Sequence, residues 1–203
     1  MPLQNRVDPL SRIHRHPARG LFTGNRGALH HEGGWLVSQR WRTDAWIICT
    51  LTFKDRKRVP MAPRGYTHLF FLDEATALAA GHRPCFECRR EDARAYCDAI
   101  ARWTGVRPDA PTINRAIREE MSAMIRFGER EAVDASLLPA GAMFTLDDAA
   151  WLVLAEGVRR WSFEGYGRLE AFPVALVRRL TPRMSIAALE GGYDAQLAPS
   201  AMI

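Results

Sequence analysis

The chain has 203 residues, 47% of them hydrophobic and 25% charged, with a formal net charge of +5. This composition excludes default disorder and allows one medium domain or two small ones. No run of about 18 apolar residues occurs, and MPLQNRVDPL lacks the apolar stretch of a secretory signal, so no membrane span is predicted and a cytoplasmic location is expected.

Residues 1 to 34 read as a basic arm and loop, broken by Pro9, Pro17, Gly20, Gly24, Gly27 and the Gly33-Gly34 pair. Within it, GLFTGNRG presents Asn25 and Arg26 either as donors to a phosphate or base or as ordinary turn residues. Trp35 to Trp41 and Trp46 to Phe53 have strand character. Lys54 to Lys57 reads as a hairpin tip returning through Arg58 to Met61. With a strand at 67 to 72 these predict a small antiparallel sheet.

The charge is concentrated in this half. Residues 1 to 66 hold twelve Lys or Arg against the four acids Asp8, Glu32, Asp44 and Asp55. Such a field attracts polyanions, and Arg26, Arg40, Arg42, Lys54, Arg56, Lys57, Arg58 and Arg64 are the candidate nucleic-acid contacts. The chain also uses Arg freely, with 26 Arg and 2 Lys, so part of the excess is compositional.

Leu69 to Leu72 leads into a helix capped by Asp73, formed by Ala77 to Ala80 and stopped by Gly81. The chain then turns through Pro84 into Cys85-Phe86-Glu87-Cys88. Two intervening residues let both sulfurs face one tetrahedral ion at about 2.3 Å, and no thioredoxin-like βαβ pattern surrounds the pair, so the spacing points to zinc. Structural zinc needs four donors. Cys49, in an apolar strand after Trp46, Ile47 and Ile48, serves either as a third ligand or as a buried core thiol. Cys97, on a helical face with Ala93, Ile100 and Trp103, reads as core.

The segment EATALAAGHRPCFEC, Glu74 to Cys88, resembles the zinc-binding domain of the Ada methylphosphotriester-repair protein and related nuclease-associated zinc modules, over about residues 66 to 90. The chain departs from the Ada pattern upstream, where Phe53 stands at the place of a second cysteine after Cys49. The smaller modules pair one upstream cysteine with a histidine. The resemblance therefore implies a Zn²⁺ held by Cys49, Cys85, Cys88 and His30 or His31, with His68 and His82 as alternatives. It also implies repair or processing of DNA. The whole chain further resembles a small family of bacterial proteins, a likeness that implies no activity.

Downstream, a helix from about Arg89 to Thr104 stops at Gly105 and Pro108. A second, with Thr112 as the expected cap, carries Ile113, Ile117, Met121, Met124 and Ile125 on one stripe. After Leu138 come the strand-like runs AMFTL, AWLVLA, VRRWSF and FPVALVRRL, with a short helix near Ser185 to Leu189. Trp161, Phe163 and Tyr166 either stack bases or fill this module. The expected fold is α+β: a zinc-stapled antiparallel sheet packed on helices, a helical pair, and a C-terminal β-meander or small barrel. The expected divisions are a 1–34 arm, a 35–128 Ada-like domain and a 138–203 module.

These features predict a zinc-stabilised nucleic-acid-binding protein, with DNA favoured over RNA and no membrane partner. A metal-dependent nuclease and a protein-interaction adaptor are the alternatives. The chain has no H-E-x-x-H, no paired acidic motif and no nucleophile elbow to support hydrolysis directly.

Overall fold

The computed structural model describes residues 1–31, 35–37, 40–54, 59–62 and 65–203. Arg56, Lys57, Arg58 and Arg64, and with them the tip of the expected basic hairpin, lie outside the described residues. The fold is α+β, with four helices and two six-stranded sheets among those residues.

The first sheet comprises β1 (Gln4–Val7), β2 (Ile13–Arg15), β3 (Phe22–Asn25), β4 (Ile47–Cys49), β5 (Leu69–Phe71) and β6 (Arg83–Pro84), in the order β2-β1-β5-β3-β4-β6. It is mixed rather than antiparallel, since β1 runs parallel to β5 and β4 parallel to β6. Half of its strands come from the segment expected to be an irregular arm. Those strands are three or four residues long, too short to show a period; β1 and β3 find partners far along the chain, while β2 at the edge pairs with β1. Trp35 to Trp41 forms no strand among the described residues and contributes one isolated bridge, His30 to Leu36.

The second sheet is the expected meander, antiparallel throughout, in the order β11-β10-β9-β8-β12-β7. Its strands are β7 (Ala132–Val133), β8 (Met143–Leu146), β9 (Ala149–Leu154), β10 (Gly157–Ser162), β11 (Gly165–Glu170) and β12 (Val177–Arg179). Asp147 and Asp148 both take positive φ between β8 and β9, as a tight two-residue hairpin turn requires.

The helices are α1 (Glu74–Ala79), α2 (Arg90–Thr104), α3 (Ala110–Phe127) and α4 (Arg183–Glu190). The Asp73 side chain accepts from the Thr76 N–H and caps α1, and Gly105 ends α2 in the left-handed conformation. On α3 the cap is Asp109 rather than Thr112: its side chain accepts the Thr112 N–H, and Pro111 sits in the first turn, where its missing donor is harmless. Ile113, Ile117, Met121 and Met124 are buried as the stripe predicts. Trp103 departs from its expected place, lying 58% exposed while Ala93, Cys97 and Ile100 of the same helix are buried.

Every residue of α1 is buried, because the helix sits between both sheets. Ala77 and Leu78 join the core of the first sheet with α2, α3 and α4, while Ala75 and Ala79 join Met143, Leu152 and Tyr166 of the second. The core thus crosses the divide expected between residues 128 and 138. Gly191, after α4, lies so close to α2 that a Cβ there would stand 1.9 Å from the Ala99 carbonyl oxygen.

Two adjacent buried carboxylates fix the C-terminal chain onto α1. Glu74 accepts Arg89 Nη1 at 2.7 Å and Nη2 at 3.0 Å, Tyr193 Oη at 2.7 Å and the Gln196 N–H at 3.0 Å. Asp73 accepts the Thr76 N–H and hydroxyl, the Tyr166 hydroxyl at 2.9 Å and the Ala198 N–H at 3.1 Å. Burial pushes the Asp73 carboxyl up, and these hydrogen bonds pull against it.

Removing the Arg89 guanidinium strands the Glu74 carboxylate. Arg89→Met, which keeps most of the apolar stem, is expected to lower unfolding free energy by about 3–5 kcal/mol in urea titration. A loss below about 1 kcal/mol would show that the pair does not hold these elements together.

Candidate metal centre

The sheet's own register assembles the site. β4 and β6 pair in parallel, Ile47 with Arg83 and Ile48 with Pro84, so the residues that follow each pair, Cys49 and Cys85, emerge side by side. The Cys85 N–H donates to the Ile48 carbonyl at 3.0 Å and extends the ladder by one bond. The turn after it closes through the Arg89 N–H to the Cys85 carbonyl at 3.0 Å, and the Glu87 N–H points at Cys85 Sγ, 3.4 Å away. That turn returns Cys88 to the other two.

The sulfurs of Cys49, Cys85 and Cys88 lie within 4.8 Å of one another. Three thiolates on a tetrahedral ion at about 2.3 Å require sulfur separations near 3.8 Å, a contraction well within side-chain reach. The cluster can therefore hold a metal ion, and its donors suit a thiophilic one. Hydrogen bonds from Cys49, then Cys88, hold the Cys85 thiol far below its ordinary value, and those same contacts push Cys49 up. The backbone N–H groups of Cys88 and Glu87 act on Cys85 in the same downward direction. Cys85 is buried and the other two are half-buried.

A cavity of about 180 Å³ opens over the cluster, and Asn25, Phe53, Tyr66, His68 and Glu87 line it beside the three cysteines. Of the expected histidine ligands, His30 is committed elsewhere: its Nδ1 meets Thr67 Oγ1 at 2.6 Å and its Nε2 meets the Ala62 carbonyl at 2.8 Å. His31 is exposed and does not line the cavity. His82 is fully buried beside Arg26, and both burial and the Arg26 charge drive its pKa well below the usual imidazole value. His68 alone of these histidines faces the sulfurs' cavity, although its ring nitrogens stand outside the group of mutually close donors.

The basic residues separate into two kinds. Arg26, expected at a nucleic-acid surface, is instead entirely buried: Nε donates to His82 Nε2 and Nη1 to the Ser11 carbonyl, both at 3.2 Å, and the guanidinium lies 4.7 Å from the Trp46 ring. Arg40, Arg42 and Lys54 are exposed. Of the C-terminal aromatics, Tyr166 and Trp161 are held by Asp73 and Thr76, and Phe163 stacks on His16. Tyr66 was not expected at the site; it follows a glycine in an irregular stretch, where no period marks the inward face.

Comparison of the chain with protein-family models, with curated proteins and with solved structures finds no match. The function must be read from the site itself.

Protein purified without chelator is expected to carry one metal ion, measured by mass spectrometry. Cys85→Ser loses it and His30→Ala keeps it. Full metal content in Cys85→Ser would remove the cluster as a metal centre.

Proposed function

We propose that this is a zinc-stabilised nucleic-acid-binding protein, with DNA the preferred partner, in which the metal staples β4 to the Cys85–Cys88 turn. The supporting observation is the surface charge of the N-terminal half. Among its described residues Arg12, Arg15, Arg19, Arg40, Arg42 and Lys54 are exposed, whereas Asp8 is buried and the exposed Asp44 is taken by Arg118 at 3.0 Å. Among the described residues of this half the exposed cations therefore outnumber the exposed acids. Such a face gathers phosphates without reading sequence.

Zinc is the ion the donors favour, since three thiolates leave one position for a borderline ligand in a tetrahedral set. His68 is assigned that position, because it lines the sulfurs' cavity while His30 is engaged by Thr67 and Ala62. With His68 the set would be Cys₃His, a combination found in structural zinc sites. His68→Ala is expected to weaken zinc binding by about tenfold or more in a competition titration with a chromophoric chelator. Unchanged affinity would reject His68 as a ligand.

One observation favours a second reading. Three protein donors beneath an accessible cavity are also what a catalytic metal requires, with water in the fourth position. On that reading the protein is a metal-dependent nuclease, and zinc-dependent cleavage of plasmid DNA distinguishes it.

Binding to short DNA duplexes is expected to weaken steeply with salt. Neutralising Arg40, Arg42 and Lys54 together should reduce the slope of log K against log[salt] by about 0.9 for each phosphate that the variant no longer neutralises, leaving thermal stability intact. A slope unchanged in this variant would place the phosphate-binding residues elsewhere, and salt-independent binding would overturn the polyanion reading.

A further inference from the structure

Arg26 sets a problem that neither the metal centre nor the charged surface answers. A fully buried guanidinium normally has a carboxylate against it, because an unpaired buried charge is costly. Arg26 has neutral neighbours instead, in His82, the Ser11 carbonyl and the Trp46 face, and its Nη2 has no hydrogen-bond partner. Asp8 supplies distant attraction only. One of its oxygens is taken by His14 and the other by the Arg12 N–H, each at 2.8 Å. Burial lowers the Arg26 pKa to about 9, with Arg40 adding to the effect, so the group is still a cation at neutral pH.

Arg26 also lines a cavity. It encloses about 690 Å³ against the β1–β2 turn, and its walls include Gln4, Ser11, Arg12, Leu36 and Arg40. Three arginines are among its described lining residues and no carboxylate is, Arg26 lying beneath the surface of the wall and Arg12 and Arg40 exposed. Low-dielectric walls carrying one sign of charge focus the field on whatever enters. Arg12 and Arg40 are exposed; Arg40 Nη1 donates to the Ile125 carbonyl at 3.0 Å, which leaves its other guanidinium donors for a ligand. The planar fork of each guanidinium suits an oxyanion with several oxygens. Three positive charges are better balanced by a dianion than by a single carboxylate.

We propose that the cavity between Arg12, Arg26 and Arg40 is a binding site for a phosphate group, either free phosphate or the terminal phosphate of a larger molecule. It is separate from the three-cysteine centre. Asn25, the last residue of β3, lines the sulfurs' cavity, and Arg26, in the bend that follows, lines this one. The site stands whether or not the metal and nucleic-acid readings do.

The test is equilibrium dialysis with radiolabelled inorganic phosphate, the ionic strength held constant with sodium chloride. One saturable equivalent is expected, displaced by sulfate. Arg12→Ala/Arg40→Ala, which alters only exposed side chains, should weaken binding by about tenfold or more while keeping its circular dichroism melting curve. Arg26→Met should abolish binding, and if that variant does not fold the double variant still decides. Competition by a 5′-phosphorylated trinucleotide that exceeds that of free phosphate would identify a nucleic-acid end as the source. Equal competition would identify a small anion, and either result supports the site. Absence of saturable binding, or affinity unchanged in the double variant, overturns it.

Discussion

The fold depends on the burial of two neighbouring carboxylates, Asp73 and Glu74, both without solvent exposure. Burying a carboxylate costs several kcal/mol unless hydrogen bonds and an opposite charge replace its water. Here the replacements come from distant parts of the chain. Arg89 follows Cys88 directly, so the charge that neutralises Glu74 also fixes the end of the cysteine turn. Tyr193, Gln196 and Ala198 come from the C-terminal chain beyond α4, and Tyr166 from the second sheet. The cap and first residue of one short helix thereby tie the cysteine turn, the second sheet and the C-terminal chain into one core.

What was legible in the sequence was local. Asp73 as a cap, Gly105 as a stop and the Ile113 to Met124 stripe depend on residues a few positions apart, and they hold in the structure. The meander was legible because its strands are six residues long in part and separated by turn residues. The N-terminal strands were not: β1 and β2 form a hairpin of three- and four-residue strands, too short to show a period, and β1 joins the sheet through β5, more than sixty residues away, a partner no feature of QNRV announces. The pairing of Cys85 with Cys88 was legible from their spacing, whereas Cys49, which the structure brings to them, read equally as a core thiol and was singled out by the resemblance. The position of His30 was not legible, because a histidine in a Gly-rich stretch reads alike whether it faces sulfur or, as here, a threonine hydroxyl and a carbonyl.

Arginine explains most of the rest. In a chain with 26 Arg and 2 Lys, the residue type that signals surface elsewhere is also used to solve interior problems. Arg89 neutralises Glu74, Arg179 bridges Glu120 and Glu131, and Arg83 bonds Asn114 under the Phe86 ring. The planar guanidinium satisfies several acceptors at once and stacks on aromatic faces, which an ammonium does poorly. A count of basic residues therefore overstates the charge available to a partner, and only the exposed subset bears on nucleic-acid binding.

Arg26 differs from Arg89 and Arg179 in having no acid against it, and from Arg83 in having no solvent exposure at all. It stacks on Trp46, which leads into β4, and the Trp46 carbonyl accepts the Arg83 N–H at the start of β6. Three residues beyond Trp46, β4 ends at Cys49. The same two-strand unit therefore carries the three sulfurs at one end and supports the buried guanidinium at the other. The three-cysteine cluster and the arginine cavity therefore share the β4–β6 pair as support: Cys49 and Cys85 follow its last register pair, and the Arg26 guanidinium lies on the Trp46 ring that precedes it.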